Sequence, residues 1–409
     1  MPDNVEMRTL LWGPQTKTFE AQCKALFQLE PLKLHVLVMN IDAVITDRGY
    51  DLLEKFLRCH DTLLCVDEST SIKNPKSSRT KILTKLGKLA KYRRILTGTP
   101  VANRPLDVYS QFNFLKEGCL GSSSWFAFRN RYAVTRARHF NGRKFEEIIG
   151  WQRLDELHKE VAAHSYRVLK KDCLDLPEKI YQTRYIEFSP EQKKYYEEMR
   201  DLAFTVLDTG LMVGAPLVIT RLLRLRQALC NLAPSGEGEG ETVFIGEKDP
   251  RLEEIIKLVD EAGDQKILIW SCFTPSILKI VAALNGEFGE GTAAGFYGDV
   301  SASRRQELIN EIQSKEAKLR VLVLNPATGS ESITLTGASL VIYHDNDWSL
   351  KIRQQSEDRA HRIGQTRAVT YIDLVAAGTV DEDIVWSLKD KGNLADAVTG
   401  DYIKKLIRP

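Results

Sequence analysis

Three short stretches carry residue types suited to handling a phosphoryl group. "LLCVDEST" sets Asp67 and Glu68 just beyond an apolar run. Adjacent acids there can divide nucleoside triphosphate hydrolysis: one holds Mg through its water shell, the other orients the attacking water. The same pair would also make a solvated turn. "LTGTP", Leu96 to Pro100, offers two hydroxyls around a mobile glycine, fit for relaying a nucleotide's state or for a plain turn. "QSEDRAHRIGQT" places Arg359 and Arg362 three apart, on one face if helical. Guanidinium groups presented together match phosphate oxygens. Glu357 and Asp358 beside them leave open a self-paired surface helix. The usual phosphate cradle, G-x-x-x-x-G-K-[ST], is absent from the 409 residues. The nearest fragment, "LGKL" at Leu86 to Leu89, lacks both the first glycine and the hydroxyl residue.

The elements that must position these residues read as α/β. "HVLVMN", "TLLCVDE" and "RRILTGTP", then "KILIWSCF", "AAGFYG", "LRVLVLNP", "LVIYHDND" and "VTYIDLVA", are short runs apolar on successive positions. That pattern suits strands buried on both faces of a parallel sheet. Helical patterns such as "SSRTKILTKLGKLAKY" and "SASRRQELINEIQSKE" separate most of them, so two α/β lobes are expected. The first lobe offers only three good strands. Residues from about 105 to 250 read as mostly helical, through "WQRLDELHKEVAAHSY", "PEQKKYYEEMRDLAFTVL" and "VITRLLRLRQALC". Near their end "PSGEGEGET" is a flexible loop. "DWSLKIRQQSEDRAHRIG" reads as a helix capped by Asp347 or Ser349 and ended by Gly364.

Bulk composition is that of an ordinary soluble globular chain, with 43% apolar and 27% charged residues. The net charge of +2 does not force a nucleic-acid reading, but its distribution is uneven. Ser71 to Pro105 holds ten Lys/Arg and no acid, and Ser122 to Phe145 is a second acid-free run. Such runs can face phosphate backbones or can be balanced by acids elsewhere in the chain. Seven cysteines stand singly with no C-x-x-C, which reads as reduced, intracellular and without a zinc site. No signal peptide and no membrane span are expected.

In this order the motifs resemble the Swi/Snf-type DNA translocases of helicase superfamily two. "DESTSIKNPKSSRTK" resembles their motif II region, "LTGTPVANRPLDVYSQFNFL" motif III and its continuation, and "HSYRVLKKDCLDLPEKI" the R-x-x-K…LP stretch. "ILIWSCF" resembles motif IV, "YGDVSASRRQELI" the segment after it, and "QSEDRAHRIGQT" motif VI. The resemblance implies two RecA-like lobes with parallel sheets, the first incomplete, separated by a helical insertion. The expected division is 1–115, 116–245 and 246–409. It implies ATP and Mg as ligands, with Asp67 holding Mg through water and Glu68 orienting water. Arg362 becomes the finger on the γ-phosphate and Arg359 its partner. Gly329 and Gln355 fall at nucleotide-binding positions, and Thr97, Asn103, Arg104, Thr336, Arg221 and Arg224 at DNA-backbone positions. Arg226 is a further candidate for the backbone.

Three features depart from the family pattern. The P-loop and motif Ia do not precede "MPDNVEMRTLLWG", so a segment of the first lobe is expected elsewhere, in one chain or as a second polypeptide. Thr70 stands where a histidine is usual, which puts in question how motif II meets "LTGTP". Ser332 replaces a glycine of motif V, so a tighter turn is expected there. The expected activity is ATP-dependent translocation on double-stranded DNA, dormant in this chain alone for want of the P-loop. The alternative is a non-catalytic DNA-binding or regulatory relic of such a motor. A strand-separating helicase fits less well with the helical insertion and "HRIGQ". Such a protein would work in a bacterial cytoplasm or nucleoid, a phage-infected cell, or a nucleus.

Overall fold

The structure is a computed structural model that describes residues 5–28, 33–140, 143–208, 215–235, 242–329 and 333–399. Two compact units divide the chain: residues up to Tyr166 together with those from Lys391, and Arg167–Asp390. The stretch expected as a single insertion, 116–245, is therefore shared between the two.

In the first unit β1 (Met7–Leu11) pairs in parallel with β2 (Leu34–Val38), and β3 (Leu63–Val66) with β4 (Tyr92–Ile95). Hydroxyl caps start the helices around them. Thr16 Oγ1 accepts from Phe19 N at 3.1 Å before Lys17–Leu26, and Thr46 Oγ1 from Gly49 N at 3.1 Å before Asp47–Cys59. Ser77 caps Ser78–Gly87, the helix expected from "SSRTKILTKLGKLAKY". Gly49 must be glycine, because a Cβ would run into the Ala43 carbonyl. Val44, Leu53, Leu57, Val66, Leu83 and Phe114 form the core beneath.

The first unit corrects two expectations. Its strands are not buried on both faces: Leu63 and Cys65 of β3 and Tyr92 and Arg94 of β4 are exposed. And the stretch after residue 105 is not mostly helical. After the helix Trp125–Tyr132, β5 (Ala133–Phe140) and β6 (Arg143–Trp151) form an antiparallel hairpin. Tyr109, Phe128 and Tyr132 pack as tilted rings beside it, with ring centroids 5.0 and 4.8 Å apart.

In the second unit β7 (Lys179–Ile186) leads, followed by the small hairpin β8 (Leu232–Pro234) and β9 (Thr242–Phe244). Then come β10 (Ile267–Trp270), β11 (Ala293–Phe296), β12 (Val321–Leu324), β13 (Leu340–Tyr343) and β14 (Val369–Ala376). All but the small hairpin join one parallel sheet in the order β11-β12-β10-β13-β14-β7. β10, β12 and β13 are buried at every position, as their unbroken apolar runs require. One face packs Ile255, Leu258, Ile277 and Leu284 of the helices Pro250–Glu261 and Thr274–Phe288. The other packs Leu308 and Ile312 of Ala302–Gln313 and Ala360 of Leu350–Ala360. β7 was missed because "KIYQTRYI" is an edge strand, exposed along most of its length. Among the described residues no helix is long and apolar enough to cross a membrane.

Met7, Leu11, Leu63 and Tyr92 on the strands of the first unit, and Leu96 just after β4, are 54 to 64% exposed, a set of apolar side chains that water should not wet. The chain at micromolar concentration is therefore expected to self-associate in sedimentation velocity. Leu11→Lys with Leu63→Lys should shift it toward monomer. A monodisperse wild-type monomer would refute this reading of the uncovered strands.

Candidate functional site

β3 ends at Val66, which delivers Asp67 and Glu68 to the carboxyl end of the strand, where open parallel sheets bind ligands. Asp67 is exposed, and its Oδ1 accepts the Glu68 N–H at 2.8 Å. Glu68 has φ 48° and ψ 54°, a left-handed conformation costing roughly 1–2 kcal/mol for a side chain with a Cβ. Its neighbour holds it there. Ser69 N donates to Leu96 O at 3.0 Å, and Ser69 Oγ donates to Gln111 Oε1 at 2.7 Å. Gln111 Nε2 in turn donates to Pro100 O and Asp107 O, both at 2.7 Å. The acidic turn and "LTGTP" are thus bound into one piece through Ser69 and Gln111, while Thr70 is buried. The one sequence signal for Gln111 is a polar side chain inside the apolar helix Val108–Leu115.

Thr97, Asn103 and Arg104 belong to the loop that follows β4. Thr97 Oγ1 accepts from Thr99 N at 3.1 Å, making a local turn. Buried Asp107 organises the rest, accepting Asn103 N at 2.8 Å and Arg104 N at 3.3 Å on Oδ2, with Lys73 Nζ 3.8 Å away. Asn103 turns its amide oxygen to Lys73 Nζ at 2.8 Å and its NH₂ to Ala102 O at 3.1 Å. The side chains of Asn103 and Arg104 are left exposed side by side.

In the second unit Ser349 caps the helix expected around motif VI, accepting from Ile352 N at 3.4 Å. The helix ends at Ala360, four residues before Gly364. Arg362 therefore lies beyond it and does not share a helical face with Arg359. The two guanidinium groups still converge: both donate to Ile333 O, at 3.3 and 3.4 Å. Glu357 and Asp358 are engaged elsewhere. Glu357 bonds Arg353 Nε at 2.8 Å, Lys179 Nζ at 2.9 Å and the Tyr181 hydroxyl at 2.7 Å. Asp358 pairs with Lys170 at 2.6 Å. Among the described residues Arg362 makes no ion pair. Buried Gln365 fastens the turn, donating to Thr336 O, Ala338 O and Ala360 O and accepting from Thr366 N and Arg367 N, at 2.9 to 3.2 Å. Gln365 carries no sequence signal beyond its place directly after Gly364.

Other candidates fall outside this convergence. Gly329 is buried against Trp270, whose ring would be struck by any Cβ, so packing alone accounts for the glycine. Gln355 is half-buried on the Leu350–Ala360 helix, and Thr336 lends its carbonyl to Gln365. Ser332 and the side chain of Arg221 lie outside the described residues. Arg224 donates to Gln227 at 2.8 Å. Arg226 is 11% exposed, bonded to Asn346 O at 2.9 Å and 3.6 Å from both Asp345 and Asp347, so it serves the interior.

The acid-free runs are largely neutralised in space. Arg129 pairs with Glu146, Arg131 with Glu156 and Arg138 with Glu147, acids that lie just outside the second run. In the first, Arg79 pairs with Asp42, Lys88 with Glu117 and Lys91 with Asp61. Lys76, Lys81 and Lys85 stay exposed with no acid partner among the described residues.

Residues 15–233 match the SNF2-related domain, and 248–364 the helicase conserved C-terminal domain. The first match takes in more than half of the chain, which therefore belongs to the SNF2-related family. The putative ATP-dependent helicase/translocase YwqA of Bacillus subtilis (strain 168) is 28% identical over 368 residues, 88% of this chain and 38% of that protein. TATA-binding protein-associated factor 172 of Homo sapiens is 28% identical over 434 residues, 94% of this chain and 23% of that protein. The chain thus spans well under half the length of these relatives. A solved Sulfolobus solfataricus SWI2/SNF2 ATPase core in complex with dsDNA is 23% identical with TM-score 0.43, over 98% of this chain and 78% of that one.

Burial alone would raise the pKa of Glu357. Lys179 and Arg353 outweigh it, and the carboxyl is held below its ordinary value. A depressed pKa stabilises the fold at pH values above the unfolded-state value, about 4.3, and that stabilisation is lost as pH falls through the folded value. Glu357→Gln should therefore lower the urea midpoint at neutral pH. Its deficit against wild type should shrink as pH drops below about 4. A deficit constant across that window would mean Glu357 acts through packing alone.

Proposed function

We propose that the chain is the motor part of an ATP-dependent translocase acting on double-stranded DNA. The observation that carries this reading is the convergence of Arg359 and Arg362 on Ile333 O while the neighbouring acids are paired to other residues. Two guanidinium groups gathered in this way are suited to a transferring phosphoryl. In this reading Asp67 would hold Mg through water and Glu68 would orient water, while Arg362, with Arg359 as its partner, would supply positive charge to a γ-phosphate. Gln355 and Gly329 would face the nucleotide on the strength of the family pattern alone, since packing already accounts for Gly329. The donor set fits Mg: Asp67 is an exposed carboxylate at a strand's carboxyl end with no cation paired to it among the described residues. The β-phosphate has no matching cradle in these residues, so no chemical step is assigned to this chain unaided.

DNA is taken up through its backbone, by Thr97, Asn103, Arg104, Thr336, Arg221 and Arg224, with Lys76 and Lys81 added from the exposed side chains. The words helicase/translocase in a relative's name favour a nucleic-acid track. Binding should be weak, indifferent to sequence and steeply salt-dependent. Replacing Lys76, Lys81 and Arg104 by alanine should flatten the plot of log affinity against log salt, by about one unit of slope per lost phosphate contact. Arg138→Ala, which removes a partner of Glu147, should leave it unchanged. Equal affinity at low and high salt would eliminate this footprint.

An arginine finger accelerates phosphoryl transfer roughly a thousandfold to a hundred-thousandfold, but only on a phosphate already held in line. Phosphate release by the 409 residues is therefore expected to be absent with or without duplex DNA. Adding a P-loop segment from a related translocase, fused or as a separate piece, should restore it. In the restored protein Glu68→Gln and Arg362→Ala should each abolish turnover and spare DNA binding. DNA-stimulated hydrolysis by the chain alone would overturn this account. DNA binding with no activity after restoration would favour the non-catalytic regulatory reading.

A further inference from the structure

We propose that Cys230, His344 and Asp345 of the second unit form a binding site for a soft divalent cation of the zinc class. One ligand atom from each lies within 4.8 Å of the other two, and all three residues are buried. They arrive from separate points of the fold. Cys230 follows the helix Ala215–Leu229, and His344 and Asp345 directly follow β13. Far apart in sequence, they leave no C-x-x-C or His-x-His trace. The fold gathers them at the carboxyl ends of β10 and β13, adjacent strands in register at Trp270 and Tyr343.

The donor set suits zinc: thiolate, imidazole and carboxylate are its usual ligands. Across a tetrahedral ion such ligands stand about 3.3 to 3.8 Å apart, so closure needs shifts on the order of 1 Å. The surroundings already orient the ligands. Ser271 Oγ donates to Asp345 Oδ2 at 2.8 Å, and Cys272 N donates to it at 3.1 Å. His344 Nδ1 lies 3.1 Å from the same oxygen. Such supporting contacts fix ligand direction in metal sites.

Charge balances as well. A divalent ion, one thiolate and one carboxylate sum to zero. The nearby Arg226 is also answered by Asp347 at 3.6 Å, and Arg251 by Asp381. Binding forms the metal–sulfur bond, breaks S–H and sends that proton to solvent. The ion would pin the end of one helix to two strands of the sheet.

The test uses the full chain, stripped with chelator, loaded with zinc and dialysed against metal-free buffer. Elemental analysis should find about one zinc per chain. Cobalt(II) in its place should give a thiolate-to-cobalt charge-transfer band and tetrahedral ligand-field bands. Cys230→Ser and His344→Gln should lose the zinc, and Cys230→Ser the charge-transfer band. Cys59→Ser, an exposed thiol of the other unit, should keep both. Zinc below about a tenth of an equivalent in wild type, or cobalt bound without a thiolate band, overturns the proposal and leaves a purely hydrogen-bonded cluster. So does full zinc retention by Cys230→Ser. Should the variants not fold, the wild-type zinc content and cobalt spectrum decide alone.

Discussion

A carboxylate can enter a protein interior only with a cation and enough hydrogen bonds to replace its water. The second unit buries five, Asp249, Asp345, Glu357, Asp373 and Asp381, and Lys279 answers the first of them at 2.8 Å. Each has its cation. Arg226 stands by Asp345, Arg353 between Glu357 and Asp373, and Arg251 against Asp381, with its other nitrogen on the carbonyls of His344 and Leu374. Removing one partner of such a pair typically costs about 3–5 kcal/mol, because the other is left charged and dry. The arrangement of the unit follows from meeting these demands together. β7 lies at the sheet edge where Lys179 and Tyr181 can reach Glu357. The Leu350–Ala360 helix is tied to the sheet by Arg353, whose guanidinium also lies 3.6 Å over the Tyr343 ring. That same helix carries Arg359 and leads into the turn of Arg362, so the placement of both arginines rests on acids that neither of them contacts.

What could be read in the sequence divides along the same physical line. Strands buried on both faces declare themselves: "ILIW", "VLVL" and "LVIY" became β10, β12 and β13. Helices with hydroxyl caps also declared themselves, as at Ser77, Ser301 and Ser349. Strands with one wet face did not. "LLCV" reads the same whether water or a neighbour covers Leu63 and Cys65, and "KIYQTRYI" hides a strand because only its last residue, Ile186, is buried. The end of the motif VI helix was set too late because Gly364, with φ 101°, serves the turn after the helix. Of the site residues, those with distinctive chemistry were visible. Ser69, Gln111 and Gln365, which hold the others in place, carry no signature beyond being polar in apolar company.

Charge shows the limit of reading along the chain. A run without acids looks like a face for phosphate, yet Glu146, Glu147 and Glu156 fold back onto the second run because the hairpin and the Leu154–Ala163 helix return to it. The first run keeps part of its charge, since its acids come from only a few distant positions. Exposed charges at that density attract polyanions through their field more than through any single contact. The exposed positive charge left on the first run is therefore narrower than the sequence implied and rests on Lys76, Lys81 and Lys85.

The first unit poses a different problem, one of strain and not of charge. Glu68 occupies a left-handed backbone that its side chain disfavours, and a turn left alone would relax. It is fixed from both sides. Asp67 accepts its N–H, and Ser69 is locked to Leu96 O by its backbone and to Gln111 by its hydroxyl. Gln111 uses its amide NH₂ on Pro100 and Asp107, so a shift of the "LTGTP" turn must break hydrogen bonds that also hold the acids. Each such bond is worth about 1 kcal/mol net, and breaking one inside the unit strands a buried donor at a further cost of about 1–3 kcal/mol. Together they exceed the strain at Glu68. The substitution that puts Thr70 in motif II therefore does not cut this turn off from the next, because Ser69 and Gln111 bind the two as a rigid pair.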